Sequence, residues 1–295
     1  MTYHIPVLLN EITHYLDIRS DDVVLDGTLG GGGYALNILS QEPGVREYIG
    51  LDQDTDALDY VKKNISDPRL TLIHGNFSEF DALLSKQQLN DISKIVLDLG
   101  ISSYQIDNPE RGFSYMNSGP LDMRMNRSVK ETAADVLNNY SEENIADMIY
   151  NYGEEPKSRI IAREIIAYRA KEKFSDTGQL VTFLKEIVYG HYPRKMTAVK
   201  RVFQALRIEV NNELGILDEA LSKMIHSLPE NGRLVVVTFH SLEDRIVKKV
   251  FNRFVGNQDL PEIKKCTKKV VKPSKQEISR NKRSKSAKLR AIQKI

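Results

Sequence analysis

Along the first hundred residues, short apolar runs alternate with segments whose apolar positions recur at helical spacing. Asp22-Val23-Val24-Leu25-Asp26 reads as a strand and runs directly into a row of glycines. Tyr34 to Ser40 carries helical spacing, Tyr48 to Asp52 is a second strand ending in a carboxylate, and Asp56 to Asn64 is an amphipathic helix. Leu70 to Ile73 and Lys94 to Leu99 are the third and fourth strands. Strands that are apolar throughout, rather than alternating, are buried on both faces. Their separation by helices predicts α/β architecture with a doubly wound, mostly parallel sheet.

After the fourth strand the pattern changes. Gly100 to Gly119 is rich in Ser, Asn, Gly and Pro, which is loop chemistry. From Thr132 to Val188 the apolar patterns are mostly helical, with no convincing strand, so an all-helical insertion is expected to interrupt the sheet. A long helix from about Ala198 to His226 returns the chain to the α/β domain. Arg233 to Phe239 is the next buried strand, and His240 to Phe254 is a helix with Ser241 placed to cap it. Lys268–Lys272 and Lys288–Ile295 are read as a hairpin that completes the sheet. The expected domains are 1–105 with 198–295, and 106–197 as the insertion.

Composition adds an asymmetry. The last 32 residues, from Lys264, hold 13 Lys and Arg against one acid, Glu277. That segment therefore carries +12 and the preceding 263 residues carry −10. A basic end on an acidic body suits a polyanionic partner such as nucleic acid, although a solvated tail has the same composition. One cysteine, Cys266, excludes an internal disulfide, and no His/Cys spacing suggests a metal site. No apolar run is long enough for a membrane span, and Met1 to Leu9 lacks the basic and apolar regions of a signal peptide. The expectation is a cytoplasmic protein with no metal and no membrane partner.

The strongest local signal is Asp26-Gly27-Thr28-Leu29-Gly30-Gly31-Gly32-Gly33, between a strand and a helix. Glycines there let a ligand approach the backbone, and ligands in open α/β sheets sit outside the strands' carboxyl ends. Gly30, Gly32 and Ala35 satisfy the dinucleotide fingerprint, with Asp52 placed 22 residues after Gly30 as a ribose-binding acid. A nicotinamide-dependent oxidoreductase is therefore one reading. An S-adenosylmethionine enzyme is the other, since its cofactor also needs a ribose-binding acid. Asp26 and Asp98 at strand ends favour a cationic ligand over a pyrophosphate. A third reading is a non-catalytic RNA-binding or ribosome-assembly protein that keeps a vestigial cofactor loop.

Eight segments in order resolve the choice by resemblance. They begin at His4 (HIPVLL), Asp26 (DGT with the glycines), Asp98 (DLGISS), Arg111 (RGFS), Gly119 (GPLDMRM), Phe203 (FQALRI), Phe239 (FHSLEDR) and Ser286 (SAKLR). With these the chain resembles the bacterial small-subunit ribosomal RNA cytosine-N4 methyltransferases over nearly its whole length. The resemblance implies a Rossmann-like class I methyltransferase that uses S-adenosylmethionine to methylate a decoding-region cytidine in the assembled small subunit. It places cofactor contacts on Gly32, Gly33, Tyr34, Asp52, Phe77, Asp98 and Gln105. The chain departs from the family pattern at Tyr34, usually His, and Tyr104, usually Pro. Asn281-Lys282-Arg283 stands where Asn-Pro-Arg is often found.

The exocyclic N4 is a poor nucleophile because its lone pair is delocalised into the ring. Positioning therefore carries most of the catalysis, and an acceptor for an N4 hydrogen helps. Asp98, Ser102, His240 and backbone carbonyls of the loop after the fourth strand are the candidates near that chemistry. Phe113 and Tyr115 are candidates for stacking on the exposed base, or for core packing. His240 could contact cytosine or a phosphate. Arg124, Arg201 and Arg207 could meet RNA phosphates, the last two within a stretch, 194–207, of five Lys/Arg and no acid. The insertion is expected to close over the cytidine and help select the RNA.

Overall fold

The computed structural model describes residues 6–257 and 259–295. His4 and Ile5 of the first family segment, and Met1 to Ile5 of the N-terminal reading, lie outside the described residues. The chain folds as two compact units. One is made of Met1–Gly100 with Leu214–Ile295, the other of Ile101–Glu213.

In chain order, the first part of the α/β unit holds α1 (Leu9–Leu16), β1 (Val23–Asp26), α2 (Gly33–Gln41), β2 (Glu47–Asp52) and α3 (Thr55–Asn64). There follow β3 (Leu70–His74), the short helices α4 (Phe80–Leu83) and α5 (Lys86–Asp91), and β4 (Ile92–Asp98). The helical unit contains α6 (Ser103–Asp107), α7 (Ala133–Asn139), α8 (Glu142–Gly153), α9 (Ser158–Arg169), α10 (Thr177–Ile187) and α11 (Tyr192–Asn211). The α/β unit resumes with α12 (Leu217–Ser227), β5 (Arg233–Thr238), α13 (Ser241–Phe254), β6 (Ile263–Lys265), α14 (Lys275–Arg280) and β7 (Lys288–Lys294).

The strand order is β3-β2-β1-β4-β5-β7-β6. β1 to β5 pair in parallel, and β7 joins antiparallel to both β5 and β6. Successive strand residues bury on opposite faces. Val23, Leu25, Ile95, Leu97 and Val236 pack with α12 and α13, whereas Val24, Val96, Val235 and Val237 pack with α1 and α2. Both faces are therefore covered, which is why these strands read as unbroken apolar runs. The order reverses between β1 and β4, and that switch point is where an open α/β sheet offers a ligand crevice.

Four expectations are corrected. The long helix read from 198 to 226 is two helices, α11 and α12. Asn212 closes α11 in the left-handed conformation (φ 49°), and Asn211 is drawn off to bond Met123 O and Met125 N. α11 packs into the helical unit's core from Met196 to Val210, so the boundaries expected at 106 and 197 fall at 101 and 213. The strand expected at 268–272 is displaced to β6. Val271 makes only a single bridge to Leu289, because Pro273 ends any further pairing there. Finally, α13 is capped by His240 rather than Ser241. The Glu243 carboxylate reaches back to the Phe239 and His240 N–H groups at 2.8 and 3.2 Å.

The basic segment is an ordered part of the sheet. Asp244 on α13 binds both Lys288 (3.2 Å) and Arg290 (2.8 Å) of β7, and Glu277, its one acid, accepts the Leu8 N–H at 2.7 Å.

Candidate active site

Asp26, Asp52 and Asp98 are each the last residue of their strand, on β1, β2 and β4. Parallel pairing brings all three to the same edge of the sheet, beside the switch point.

The glycine loop fits that edge through its own packing. Gly32 has φ +71°, and a Cβ there would meet Ile65 and Val61 at 2.7 and 2.9 Å. A Cβ on Gly33 would lie 2.4 Å from Pro6 Cγ. The glycines therefore let the loop close onto α3 and the segment before α1, and Gly33 starts α2. The Gly30 N–H donates to Asp52 Oδ2 at 2.7 Å, and the Asp54 N–H donates to Oδ1 at 2.8 Å. Asp52 is thus fixed in place as an acceptor at the end of β2.

Asp26 is fully buried. It accepts from Thr28 N (3.0 Å) and Tyr48 Oη (2.8 Å). Burial outweighs these bonds and pushes its pKa up to about 7, with Asp52 adding repulsion. Asp98 has its N–H held by Thr28 Oγ1 at 2.6 Å, and its Oδ1 is buried with no hydrogen-bond partner among the described residues. Burial pushes its pKa up to about 8, with Asp26 and Glu243 contributing the same way.

Tyr34 holds the other oxygen of this carboxyl. Its hydroxyl lies 2.7 Å from Val7 O and 3.0 Å from Asp98 Oδ2. A phenol has one proton to give, and a carbonyl can only accept. The phenol's one proton is shared between these two acceptors, and its bond to Asp98 favours the ionised carboxylate against the larger effect of burial. Burial and the nearby acids hold the phenol itself well above its usual range. The tyrosine at the family's usual histidine position thus anchors Asp98 through its side chain. Phe77 follows β3 and is half-buried against the core near Gly27. Its neighbour His74 is exposed, with Nε2 3.2 Å from Gln53 O.

His240 leaves β5 on the same side of the sheet. Its Nε2 stands 3.0 Å from Glu243 Oε1, and its side chain takes part in the capping box with Glu243 at the start of α13.

Within the helical unit, Ser102 and Gln105 form a reciprocal capping box on α6. Gln105 N donates to Ser102 Oγ (3.2 Å), and Ser102 N donates to Gln105 Oε1 (3.0 Å). The spacing Ser-x-x-Gln was the readable sign of this structural role. Phe113 is buried in that unit's core. Tyr115 packs edge-on to Phe203, with the Lys200 ammonium 5.9 Å above its ring. The three arginines read as phosphate contacts are engaged with carboxylates. Arg124 grips Asp122 (2.7 Å), Arg201 meets Glu155 (3.0 Å), and Arg207 holds Glu213 through two bonds (2.7 and 2.9 Å). Arg194 and Lys200 of the same basic stretch are exposed.

Comparison with known proteins adds an independent line. The family model described as the MraW methylase family matches residues 1–295. A relative from Clostridium botulinum (strain Okra / Type B1), named ribosomal RNA small subunit methyltransferase H, is 43% identical over 99% of both chains. Relatives of the same name from Carboxydothermus hydrogenoformans and Clostridioides difficile are 41% and 39% identical, over 99% of this chain and 98% and 99% of theirs.

Proposed function

This chain belongs to the MraW methylase family, and from that premise we propose that it methylates small-subunit ribosomal RNA, using S-adenosylmethionine as donor. The target is the exocyclic N4 of a decoding-region cytidine, presented by the assembled small subunit in the cytoplasm. Among the described residues, no helix is long and apolar enough to cross a membrane. The oxidoreductase and assembly-protein readings have no observation in their favour beyond the glycine spacing and the basic segment.

The observation that supports a cationic donor is the acid edge itself. Two strand-end carboxyls, Asp26 and Asp98, sit desolvated with raised pKa values, and Asp98 has an unused oxygen. A pyrophosphate beside them would meet repulsion, whereas a sulfonium or ammonium draws off their protons and pairs with them. Asp52 is an acceptor of the kind a ribose diol needs, and Gly32, Gly33, Tyr34 and Phe77 shape the floor beside it. When bound, the donor supplies an activated methyl group. The chain supplies orientation: Thr28 and Tyr34 hold Asp98, Gly30 and Asp54 hold Asp52, and α2 holds the loop. Gln105 completes the proposed cofactor contacts by resemblance. The helical unit contributes RNA recognition, with Arg194 and Lys200 as its available cations.

The test is methyl transfer from labelled S-adenosylmethionine to small subunits from cells lacking this enzyme, followed by nucleoside analysis. Label in N4-methylcytidine is expected. Label in another nucleoside would overturn the target atom, and no label despite donor binding would overturn the substrate.

A further inference from the structure

In the helical unit, the turn from α10 into α11 leaves aromatic side chains in solvent. Tyr189 is 84% exposed and Tyr192 is 66% exposed, on either side of Gly190 and His191, and neither hydroxyl has a partner among the described residues. A tyrosine ring gains much by packing, so two rings left in water on one turn mark a contact surface. The turn itself holds them there. Gly190 has φ +124°, which side chains rarely adopt, and a Cβ there would lie 2.8 Å from Arg194 Cδ. The bare glycine thus lets the Arg194 stem lie against the turn between the two tyrosines. His191 is the N-cap of α11 and Pro193 stiffens its first turn, which fixes the backbone under Tyr192.

Cations flank these rings. Lys185 Nζ of α10 stands 5.9 Å from the centre of the Tyr192 ring. Tyr192, Met196 and Lys200 recur at i, i+4 and i+8, so Lys200 lies two turns along the same side of α11. Lys185, Arg194 and Lys200 make no ion pair among the described residues. Residues 187–208 contain no acid, and Glu186 on α10 is the one carboxylate beside Lys185 in the chain. Rings interleaved with unpaired cations match a nucleic-acid strand, in which every base offers a π face and every linkage a negative charge.

We infer that Tyr189 and Tyr192 form a stacking platform for unpaired bases of the RNA substrate, with Lys185, Arg194 and Lys200 meeting the adjoining phosphates. The inference deepens the proposed function and rests on its RNA substrate. Stacking accepts any base, so the platform grips a single strand without reading its sequence.

The test compares Tyr189→Ala/Tyr192→Ala with Tyr189→Phe/Tyr192→Phe, which keeps the rings. The control is Tyr150→Ala, an exposed ring on α8 one turn after Asp147. Three readouts are taken: binding of a fluorescein-labelled single-stranded RNA, binding of the same strand made abasic, and KM and kcat on small subunits. The alanine pair is expected to weaken binding of the base-bearing strand by about tenfold or more. The abasic strand should bind the wild type and the alanine pair alike, and on small subunits the loss should fall on KM rather than kcat. The phenylalanine pair and the control should stay close to the wild type. Unchanged RNA binding in the alanine pair would overturn the inference. So would an equal loss for the abasic strand, or a loss as large in the phenylalanine pair, since neither reports stacking. Weakened binding of small subunits with RNA binding intact would also overturn it and assign the surface to a protein partner. If RNA binding follows the expected pattern but nothing is methylated, the functional reading falls and the platform stands.

Discussion

The two edges of one sheet carry opposite chemistry. At the carboxyl ends of β1, β2 and β4, three aspartates are held by backbone N–H groups and tyrosines, and two are desolvated enough to keep protons near neutrality. Around β6, α14 and β7 the charges are lysines and arginines, mostly exposed, and Lys288 and Arg290 pair with Asp244 of α13. Burial makes the acid edge expensive and specific, since an ionised carboxylate there needs a cation to complete it. Exposure makes the basic edge cheap and additive, since each cation acts mainly through long-range attraction. The first edge suits one small ligand, and the second suits a long polyanion.

The sharpest way to break this contrast is to remove the charge at the acid edge while keeping its shape. Asp98→Asn should fold, because the wild-type side chain is already neutral at pH 7. Its loss of pairing with a desolvated cation is about 3–5 kcal/mol, a fall of at least ~100-fold in donor affinity, measured by titration calorimetry. Retained affinity would mean that Asp98 does not face the cation.

The next effect concerns pH. Asp26 and Asp98 have folded pKa values raised to about 7 and about 8, against about 3.9 in an unfolded chain. Across pH 4 to 8 the unfolded state therefore binds fewer protons, and stability falls as pH rises through that window, becoming level above it. The acids with lowered pKa values, Asp122, Asp176 and Asp244 among them, act only at the low end of that range. The unliganded protein should therefore melt at a higher temperature at pH 5.5 than at pH 8.5. The difference is on the order of a few kcal/mol, and Asp26→Asn/Asp98→Asn should remove it.

Tyr34→Phe removes one hydroxyl from Val7 O and Asp98. Thermal melting should show a loss of about 1–3 kcal/mol. Because that bond favours the ionised carboxylate, the pH dependence of donor binding should move to higher pH. Smallest of all, Lys268→Ala on the exposed basic edge should change stability by no more than ~0.5 kcal/mol. A larger loss would show that this edge is also tuned by burial.

The sequence made the acid edge legible because each feature is local. A strand ending in Asp is visible from its apolar run, as at Asp26, Asp52 and Asp98, and the glycine row announces a close approach. The state of those acids was not legible, because it depends on burial by Val7, Tyr34 and Tyr48, which are far apart in the chain. The basic segment was legible in part, since Lys288–Ile295 reads as a strand completing the sheet and forms β7. Its composition resembles a tail, and the register of β7 against β5 shows which of its residues, Leu289 and Ala291, enter the core. Arg201 and Arg207 looked available for RNA because their partners, Glu155 and Glu213, sit on other turns of the helical unit. The helix break after Asn211 was readable, since two consecutive asparagines are a stop signal. The capping box of Ser102 and Gln105 was readable as well.

The central claim is that buried, proton-holding carboxyls at the β1 and β4 ends receive a cationic donor. Calorimetric titration with S-adenosylmethionine at pH 7, in two buffers of different protonation enthalpy, tests it directly. The account predicts proton release on binding, affinity that rises from pH 6 to pH 8.5, and loss of both effects in Asp98→Asn. A binding heat independent of buffer, with affinity flat across that range, would contradict it.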